Sequence, residues 1–315
     1  MKFFEFEKFY PNEATCKAKF REVREKQGVV CRKCGCTRYY WKSSKEMFQC
    51  AKCEHRQGLR AGTVMHSSKL PFRYWFITMH LLTATKNSFS AAELKRQIGH
   101  KRYQPIWELL HKLRSSMGKR DDQYTISGNI EFDEGFFTTE IEKNEKDKPL
   151  KRGVGSQRKS KVAVMAETKP APFAKEYQKP TKVKYIKMIM VEDLKSETID
   201  EVAGKNIEPE SSIISDDSTS HTNFKSMFSE HKSQVIKPKD IGKVLPWVHI
   251  AISNAKSIIQ NVHHGVKSEF LQYYLSEFCY KFNRRYFGES MFDRLILIST
   301  NYRSDFEHRT YRNAA

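Results

Sequence analysis

The 315-residue sequence lacks any uninterrupted apolar run near the roughly 18 residues that a membrane-spanning helix needs. Its first residues also lack the apolar centre of a secretory signal peptide, because Glu5 and Glu7 stand where that centre would lie. These absences argue against a membrane protein and favour a cytoplasmic location. In a reducing compartment the seven cysteines are expected to be metal ligands or core residues rather than disulfides.

Acidic residues are scarce, with 37 Asp and Glu against 56 Lys and Arg, which gives a net charge of +19. Residues 1–120 carry +17 of this charge and residues 121–315 carry only +2. This imbalance predicts a polyanionic partner, and its uneven spread favours an attachment region followed by a region with a different task. A hydrophobic share of 39% supports a folded core and excludes a disordered basic tail.

Five of the cysteines fall between positions 31 and 53, and four of them form two C-x-x-C pairs: Cys31, Cys34, Cys50 and Cys53. This spacing is typical of a four-thiolate zinc site, because each short turn points two thiolates at one tetrahedral ion. The aromatic residues between the pairs suit two short strands, so the sequence predicts a zinc ribbon. Four protein ligands leave no open position, which makes the Zn²⁺ structural.

The remaining cysteines have simpler interpretations. Cys36 and His55 could each replace a zinc ligand, although we expect both to be bystanders. Cys16 and Cys279 are isolated in the sequence and are expected to pack in the core.

Residues 70–118 have the apolar spacing of helices. Ser90 is expected to cap a short helix, with Glu93 completing a capping box and Gly99 ending the helix. A second, basic helix follows, so the segment is either a helix-turn-helix or a plain helical linker. Its candidate DNA contacts are Lys112, Arg114, Lys119 and Arg120.

From residue 128 the pattern changes to strands, predicted at 129–137, 161–167, 183–191, 213–217 and 234–236. Helices are predicted at about 196–203 and 224–228, and a long helical stretch reaches about 287. This order is typical of a ribonuclease H-like fold, so the whole chain is expected to be of the α+β or α/β class. The loop at 141–160 contains basic residues that either contact phosphates or are simply solvated: Lys151, Arg152, Arg158 and Lys159.

Two aspartates stand out in the predicted sheet. Alternation along the first strand places Glu131 and Asp133 on the face opposite Ile130 and Phe132. Asp216 ends the fourth strand, which pairs beside the first in this topology. Two carboxylates brought together there would hold Mg²⁺ or Mn²⁺ as in two-metal phosphoryl transfer, or else Asp133 is a surface residue and Asp216 a turn former.

The order of parts resembles insertion-sequence transposases with an N-terminal zinc ribbon and a DDE core, of the ISXO-like group. The resemblance covers residues 30 to about 300. It is carried by the two cysteine pairs, by residues 62–71 with Trp75, by 131–134, 215–217 and 247–249, and above all by 271–285 (LQYYLSEFCYKFNRR).

The resemblance implies that Asp133 and Asp216 are the first two ligands of a catalytic Mg²⁺ or Mn²⁺. It places the third ligand at the head of the last helix, at Asn254, whose carbonyl oxygen can bind a metal. His249 and Glu269 are alternatives for this third position, and the role of the nearby Lys256 stays open.

The predicted organisation has a zinc ribbon with an N-terminal extension at 1–62 and a helical DNA-binding segment at 63–120. The ribonuclease H-like core follows at 128–300 and a tail at 301–315. We expect a DNA transposase that binds terminal inverted repeats and cuts and joins double-stranded DNA. It would be nucleoid-associated, dimeric on DNA and independent of nucleotide cofactors. The rival hypotheses are a transposase-derived DNA-binding protein without catalysis and, less favoured, a nuclease without strand transfer.

Overall fold

The computed structural model of the chain describes residues 1–141, 147–172, 175, 179–235 and 244–306. These residues divide into two compact units, one formed by residues 1–120 with 286–315 and the other by residues 121–285.

The helices and strands alternate in blocks along the chain. The helices are α1 (Phe3–Phe9), α2 (Glu13–Gln27), α3 (Phe72–Ala84), α4 (Ala91–Gln97), α5 (Gln104–Asp121), α6 (Ser196–Asn206), α7 (Phe224–Met227), α8 (Pro246–Val262), α9 (Ser268–Asn283) and α10 (Met291–Asn301). The strands are β1 (Tyr39–Lys42), β2 (Met47–Cys50), β3 (Arg56–Gly58), β4 (Asn129–Thr138), β5 (Lys159–Pro170), β6 (Thr181–Val191), β7 (Ser212–Asp216) and β8 (Glu230–Gln234).

The first unit contains a three-stranded antiparallel sheet, β1-β2-β3, and a group of helices. Side chains along β1 and β2 alternate between the two faces of this sheet, and one of these faces is the more buried. On that face the Trp41 and Phe48 rings lie 4.8 Å apart, and the guanidinium of Arg21 on α2 lies 4.3 Å from the Trp41 ring. The zinc ribbon predicted from the aromatic spacing is confirmed, with β3 as a further strand.

In the helical segment of the first unit, α4 begins and ends at the residues predicted from the sequence. The Ser90 hydroxyl accepts a hydrogen bond from the Glu93 N–H at 3.1 Å, and Gly99 has a φ of 68° where α4 ends. The other half of the capping box is absent, because the Glu93 carboxylate pairs with Arg96 and Gln97 instead.

The end of the chain differs from the predicted domain boundary. Residues 286–300 were assigned to the ribonuclease H-like core, but α10 packs against α2 and α3 in the first unit. Its apolar face, with Phe292 and Leu295 buried, forms part of that unit's core. The physical reason is that an amphipathic helix buries its apolar face wherever a complementary one exists, irrespective of sequence distance.

The second unit is built on a five-stranded sheet in the order β6-β5-β4-β7-β8. Strands β4, β5 and β6 are antiparallel, while β7 pairs parallel to β4 and β8 parallel to β7. Helices α8 and α9 cover one face and α6 and α7 cover the other. This is the strand order of the ribonuclease H-like fold that the element order predicted.

Helix α9 closes the outer edge of β6 with its own side chains. The Asn283 amide accepts from the Ile186 N–H at 2.8 Å and donates to the Ile186 carbonyl at 2.9 Å. Gln272 makes the same kind of pair with Met190 N–H and the Met188 carbonyl. An open strand edge would leave these buried backbone groups without partners, so the two amides replace a missing neighbouring strand.

Two predicted elements lie elsewhere in the structure. The strand expected at 234–236 is observed at Glu230–Gln234, and Ile236 lies outside the described residues. The long helical stretch is interrupted between α8 and α9, where Gly265 packs so closely on the Glu140 carboxylate that a Cβ would lie 2.6 Å from it.

Candidate active site

Four thiolates converge at the ribbon. The Sγ atoms of Cys31 and Cys53 lie 3.6 Å apart, as do those of Cys34 and Cys50. Tetrahedral zinc with bonds near 2.3 Å places its sulfur ligands about 3.8 Å apart, so this spacing fits Zn²⁺. The N–H groups of Cys53 and Lys52 next to the Cys50 sulfur lower the pKa of that thiol to about 6, which favours the thiolate that zinc requires.

The spare candidates lie outside this group. The Cys36 sulfur contacts the carbonyl of Arg38 at 3.7 Å, and the four clustered ligands do not include His55. Cys16 and Cys279 are buried, as expected of core residues.

In the second unit, strand β4 turns alternate side chains to opposite faces of the sheet. Ile130 and Phe132 pack with α6 and α7, while Glu131 and Asp133 face α8. The alternation predicted for this strand is therefore confirmed.

The parallel register of β4 and β7 aligns Phe132 with Ser215, so the next residues, Asp133 and Asp216, meet at the end of the pairing. Burial, reinforced by the negative charges of Asp216 and Glu134, raises the pKa of Asp133 to about 7. A buried carboxyl among like charges binds a cation readily, because the cation relieves the repulsion.

A buried histidine lies between two of these acids. The His221 Nε2 is 2.9 Å from Glu134 Oε1, and its Nδ1 is 3.2 Å from Asp216 Oδ1. Burial lowers the pKa of His221, but the bonds to Asp216 and Glu134 outweigh burial and raise it to about 10. Ligand atoms of these three residues lie within 4.8 Å of one another, but a protonated His221 has no free nitrogen for a metal and instead pairs with the two carboxylates.

Helix α8 brings a second histidine to the site. The His249 Nδ1 lies 3.5 Å from Asp133 Oδ2, and its Nε2 is buried without a hydrogen-bond partner among the described residues. Burial lowers the pKa of His249, although Asp216 opposes this. A neutral imidazole with a free nitrogen is the form that binds metals.

Asn254 and Glu269, the other residues predicted as candidates for the third ligand, are both exposed. A helix turns about 100° per residue, so Asn254 lies about 140° around α8 from His249, on an exposed part of the helix. Within the part of the chain that the structure describes, no hydrogen bond or ion pair joins Asn254 to the acids. Glu269 lies in the first turn of α9 with an exposed side chain.

Lys256 shares a helix face with His249, since seven residues bring it within about 20°. Its Nζ lies 5.7 Å from the Phe137 ring. Burial lowers the pKa of Lys256, as does Lys159 nearby, while Asp133 opposes them. Lys256 therefore lies near Asp133, with Lys159 near Lys256.

The basic residues expected to contact DNA differ in accessibility. Lys151, Arg152, Arg158 and Lys159 are exposed. Arg114 is only 1% exposed and donates to Ser88, and Lys112 donates to the His66 carbonyl. Lys119 pairs with Asp305. Arg120 is partly buried.

Sequence reasoning missed Glu134 and His221. Glu134 directly follows Asp133, and His221 comes five residues after Asp216, so the only signal was proximity to the two aspartates. The contact between Glu134 and His221 depends on the pairing of β4 with β7, which the separate segments do not reveal.

The described part of the chain contains no helix with the length and apolar character needed to cross a membrane.

Comparison with known families gives two matches. Residues 125–283 match the ISXO2-like transposase domain, and residues 11–56 match the transposase zinc-ribbon domain. The first match covers the five-stranded sheet with α6 to α9, and the second covers the four cysteines. No curated protein matches the chain.

Proposed function

The chain belongs to the ISXO2-like transposase family and carries a transposase zinc ribbon, and we propose that it binds the terminal inverted repeats of an insertion sequence and cuts and joins DNA there. The observation that carries this proposal is the acidic group at the ends of β4 and β7, where the charge of Asp216 acts on Asp133 and His249 Nδ1 lies 3.5 Å from Asp133 Oδ2. Structural Zn²⁺ at the ribbon would stabilise the first unit.

The proposed donors are of the kinds that hold divalent cations. Asp133 and Asp216 offer carboxylate oxygens, and His249 offers an imidazole nitrogen on the side of Asp133. Mg²⁺ prefers oxygen ligands, whereas Mn²⁺ also accepts imidazole. When bound, either ion would lower the pKa of water and neutralise charge on the phosphate. We favour His249 over Asn254 as the third ligand, because His249 faces Asp133 and Asn254 does not.

The neighbouring residues would orient the carboxylates and neutralise the charge of the phosphate. The imidazolium of His221 holds the carboxylates of Glu134 and Asp216 in place. Lys256 would bind non-bridging phosphate oxygens of the scissile strand, because it lies close enough to Asp133 for their charges to interact, and Lys159 lies near Lys256.

The reaction would have two steps. Water attacks the phosphorus at the transposon end, the bond to the 3′ oxygen breaks, and a 3′-hydroxyl is left. That hydroxyl then attacks a target phosphodiester, joining the transposon to the target 5′ phosphate and releasing a target 3′-hydroxyl. Two ends must be processed, so the proposal includes a homodimer on DNA.

The ribbon sheet offers a surface for binding the repeats. Its outward side carries the residues that we call the ribbon face: Tyr40, Lys42, Gln49 and Arg56. Three of them form one row across the sheet, because Tyr40 pairs with Gln49 and Gln49 with Arg56. Arg and Gln read base edges and an exposed tyrosine stacks on bases, so this row suits nucleic acid. Arg114 is left out of the proposed surface, because it is buried.

The deciding experiment incubates purified protein with Mg²⁺ or Mn²⁺ and labelled DNA carrying the repeats that flank its gene. We expect cutting at the repeat ends and joined products. Asp133→Ala and His249→Ala should lower the rate by on the order of 10³-fold, since several kcal/mol of charge stabilisation are lost. Asn254→Ala and the exposed neighbour Asp217→Asn should stay within about threefold of wild type.

The outcomes separate the rival functions. Tight binding of repeats without cleavage in either metal would favour the DNA-binding protein that no longer cuts. Cutting without joined products would favour the simple nuclease. Loss of activity with Asn254→Ala but not with His249→Ala would move the third ligand to Asn254.

The ribbon face has its own test by fluorescence anisotropy with repeat DNA. Tyr40→Ala and Arg56→Ala should each weaken binding about tenfold, the size expected for one stacked or base-reading side chain. Tyr286→Ala removes another exposed tyrosine, outside the ribbon, and serves as control. Equal affinities for Tyr40→Ala and Tyr286→Ala would remove the ribbon face from the proposal.

A further inference from the structure

Helix α8 begins without a cap of its own. Its N-cap residue is Leu245, whose side chain accepts no hydrogen bond, and its first residue is Pro246, which has no N–H to donate. The next N–H groups, of Trp247 and Val248, have no partner within the helix, and one of them is fully buried. Such groups need an acceptor from another part of the chain.

Glu131 supplies that acceptor from the sheet. Its Oε2 accepts from the Trp247 N–H at 2.7 Å and from the Val248 N–H at 3.0 Å. Glu131 is only 6% exposed, and these bonds, together with the positive end of the helix dipole, offset part of the cost of burying its carboxylate.

The same strand face carries two further contacts with α8. Asp133, two residues along β4, meets His249, the residue directly after Val248. Gly135, two residues further, allows close approach, because a Cβ there would lie 3.3 Å from Ile252. Glu131, Asp133 and Gly135 thus contact three successive parts of α8: its first turn, His249 and Ile252.

Helix α8 is held by Glu131 at its first turn and packs on Gly135 at Ile252, so it cannot slide or rotate without breaking the Glu131 hydrogen bonds. Rotation by one residue would turn His249 about 100° away from Asp133. The first turn of α3 is held in the same way by Glu13, whose carboxylate oxygens accept from Phe72 and Arg73 N–H at 2.9 Å. Glu13, however, belongs to none of the groups of metal-ligating side chains among the described residues, so that cap only orders the helix.

We propose that Glu131 is a positioning residue of the active site, which sets His249 against Asp133 by holding the first turn of α8. It does not touch the metal or the DNA. The proposal rests on the proposed metal site for its effect on metal binding, but not for its effect on the helix.

The test compares Glu131→Leu and Glu131→Gln with the control Glu167→Leu in the full-length protein. Glu167 is a glutamate of the neighbouring strand β5, is 5% exposed and pairs with Lys184. Glutamine keeps a carbonyl acceptor at the same place, whereas leucine fills the space without accepting.

Two measurements are made on each variant. Mn²⁺ affinity and the magnetic coupling of a histidine nitrogen to the bound ion are measured by electron paramagnetic resonance. Amide hydrogen exchange of Trp247 and Val248 is measured without metal. A purely structural role would change stability but not the nitrogen coupling.

In Glu131→Leu we expect about tenfold weaker Mn²⁺ binding, loss of the nitrogen coupling and about tenfold faster exchange of the two amides, as for a lost helix cap of roughly 1.4 kcal/mol. Glu131→Gln should restore most of each quantity, and Glu167→Leu should match wild type. Wild-type exchange and coupling in Glu131→Leu would overturn the proposal. If the wild-type protein binds no Mn²⁺, the metal site fails, and the amide exchange alone still decides the role of Glu131.

Discussion

The thiolate cluster and the acidic cluster are assembled in opposite ways. The zinc ligands come from two turns between residues 31 and 53, each of which presents two cysteines by local geometry. The acidic group brings Asp133 from one strand near Asp216 from another, and the site we propose adds His249 from a helix. The first cluster is a local property of the sequence, whereas the second exists only when the sheet has its register and α8 is in place.

The energetic consequences differ in the same way. Zinc binding is coupled to the folding of its own short segment, so its free energy is also folding free energy. The acidic residues are already arranged by the sheet, where His221 neutralises part of their charge. A cation there should add a modest increment to a unit that folds without it.

The largest effect is expected from breaking the thiolate cluster. Cys50→Ser should lose zinc and unfold the ribbon, since structural zinc contributes about 10–16 kcal/mol in small domains. Zinc content by atomic absorption and amide NMR spectra would check this, with the signals of the sheet in residues 121–285 expected to persist.

Cys36→Ser is the matched control, because its sulfur lies outside the four clustered ligands. It should retain one zinc per chain and a folded ribbon. Loss of zinc in Cys36→Ser with retention in Cys50→Ser would assign the ligands differently.

The next largest effect is expected at the sheet edge that α9 covers. Asn283→Leu should lower the free energy of unfolding by about 2–4 kcal/mol, because it leaves the buried N–H and carbonyl of Ile186 without partners. Urea unfolding measures the loss, with the exposed Asn261→Leu as control. Equal stabilities of the two variants would show that the edge does not depend on this amide.

A metal effect of intermediate size tests the acidic site directly. Mn²⁺ at a hundred times its dissociation constant should stabilise the wild-type protein by about 2.7 kcal/mol. Asp216→Asn should remove most of this increment, whereas the exposed Asp217→Asn should retain it. Thermal unfolding with and without Mn²⁺ gives both values, and an increment that survives in Asp216→Asn would place the ion elsewhere.

The comparison also explains which features could be predicted from the sequence. The cysteine pairs, the Ser90 cap and the alternation of β4 depend on neighbours within a few residues, and all three are observed. The order of the predicted strands and helices supplied the fold, and the LQYYLSEFCYKFNRR segment supplied the family resemblance. Its Gln272 and Asn283 are the residues that close the edge of β6.

Features that depend on tertiary contacts could not be predicted in the same way. Strand β8 was misplaced because its sequence, EHKSQ, is mostly exposed and has no apolar alternation, so the apolar Val235 beyond it was the stronger signal. The partnership of Glu134 with His221 requires the pairing of β4 and β7. The choice between His249 and Asn254 depends on the rotation of α8, which is set by Glu131 from a distant strand.

The smallest loss of stability is expected from removing a single local hydrogen bond, the N-cap of α4. Ser90→Ala removes the acceptor for the Glu93 N–H and should lower stability by about 1 kcal/mol, the usual loss for a helix N-cap. The exposed Ser44→Ala, in the same unit, is the control and should change stability by less than about 0.5 kcal/mol. Urea unfolding of the first unit measures both. A loss at Ser90 as large as that of Asn283→Leu would mean that α4 supports more of its unit than one hydrogen bond accounts for. The two units would then no longer differ in how strongly their stability depends on contacts between residues distant in the sequence.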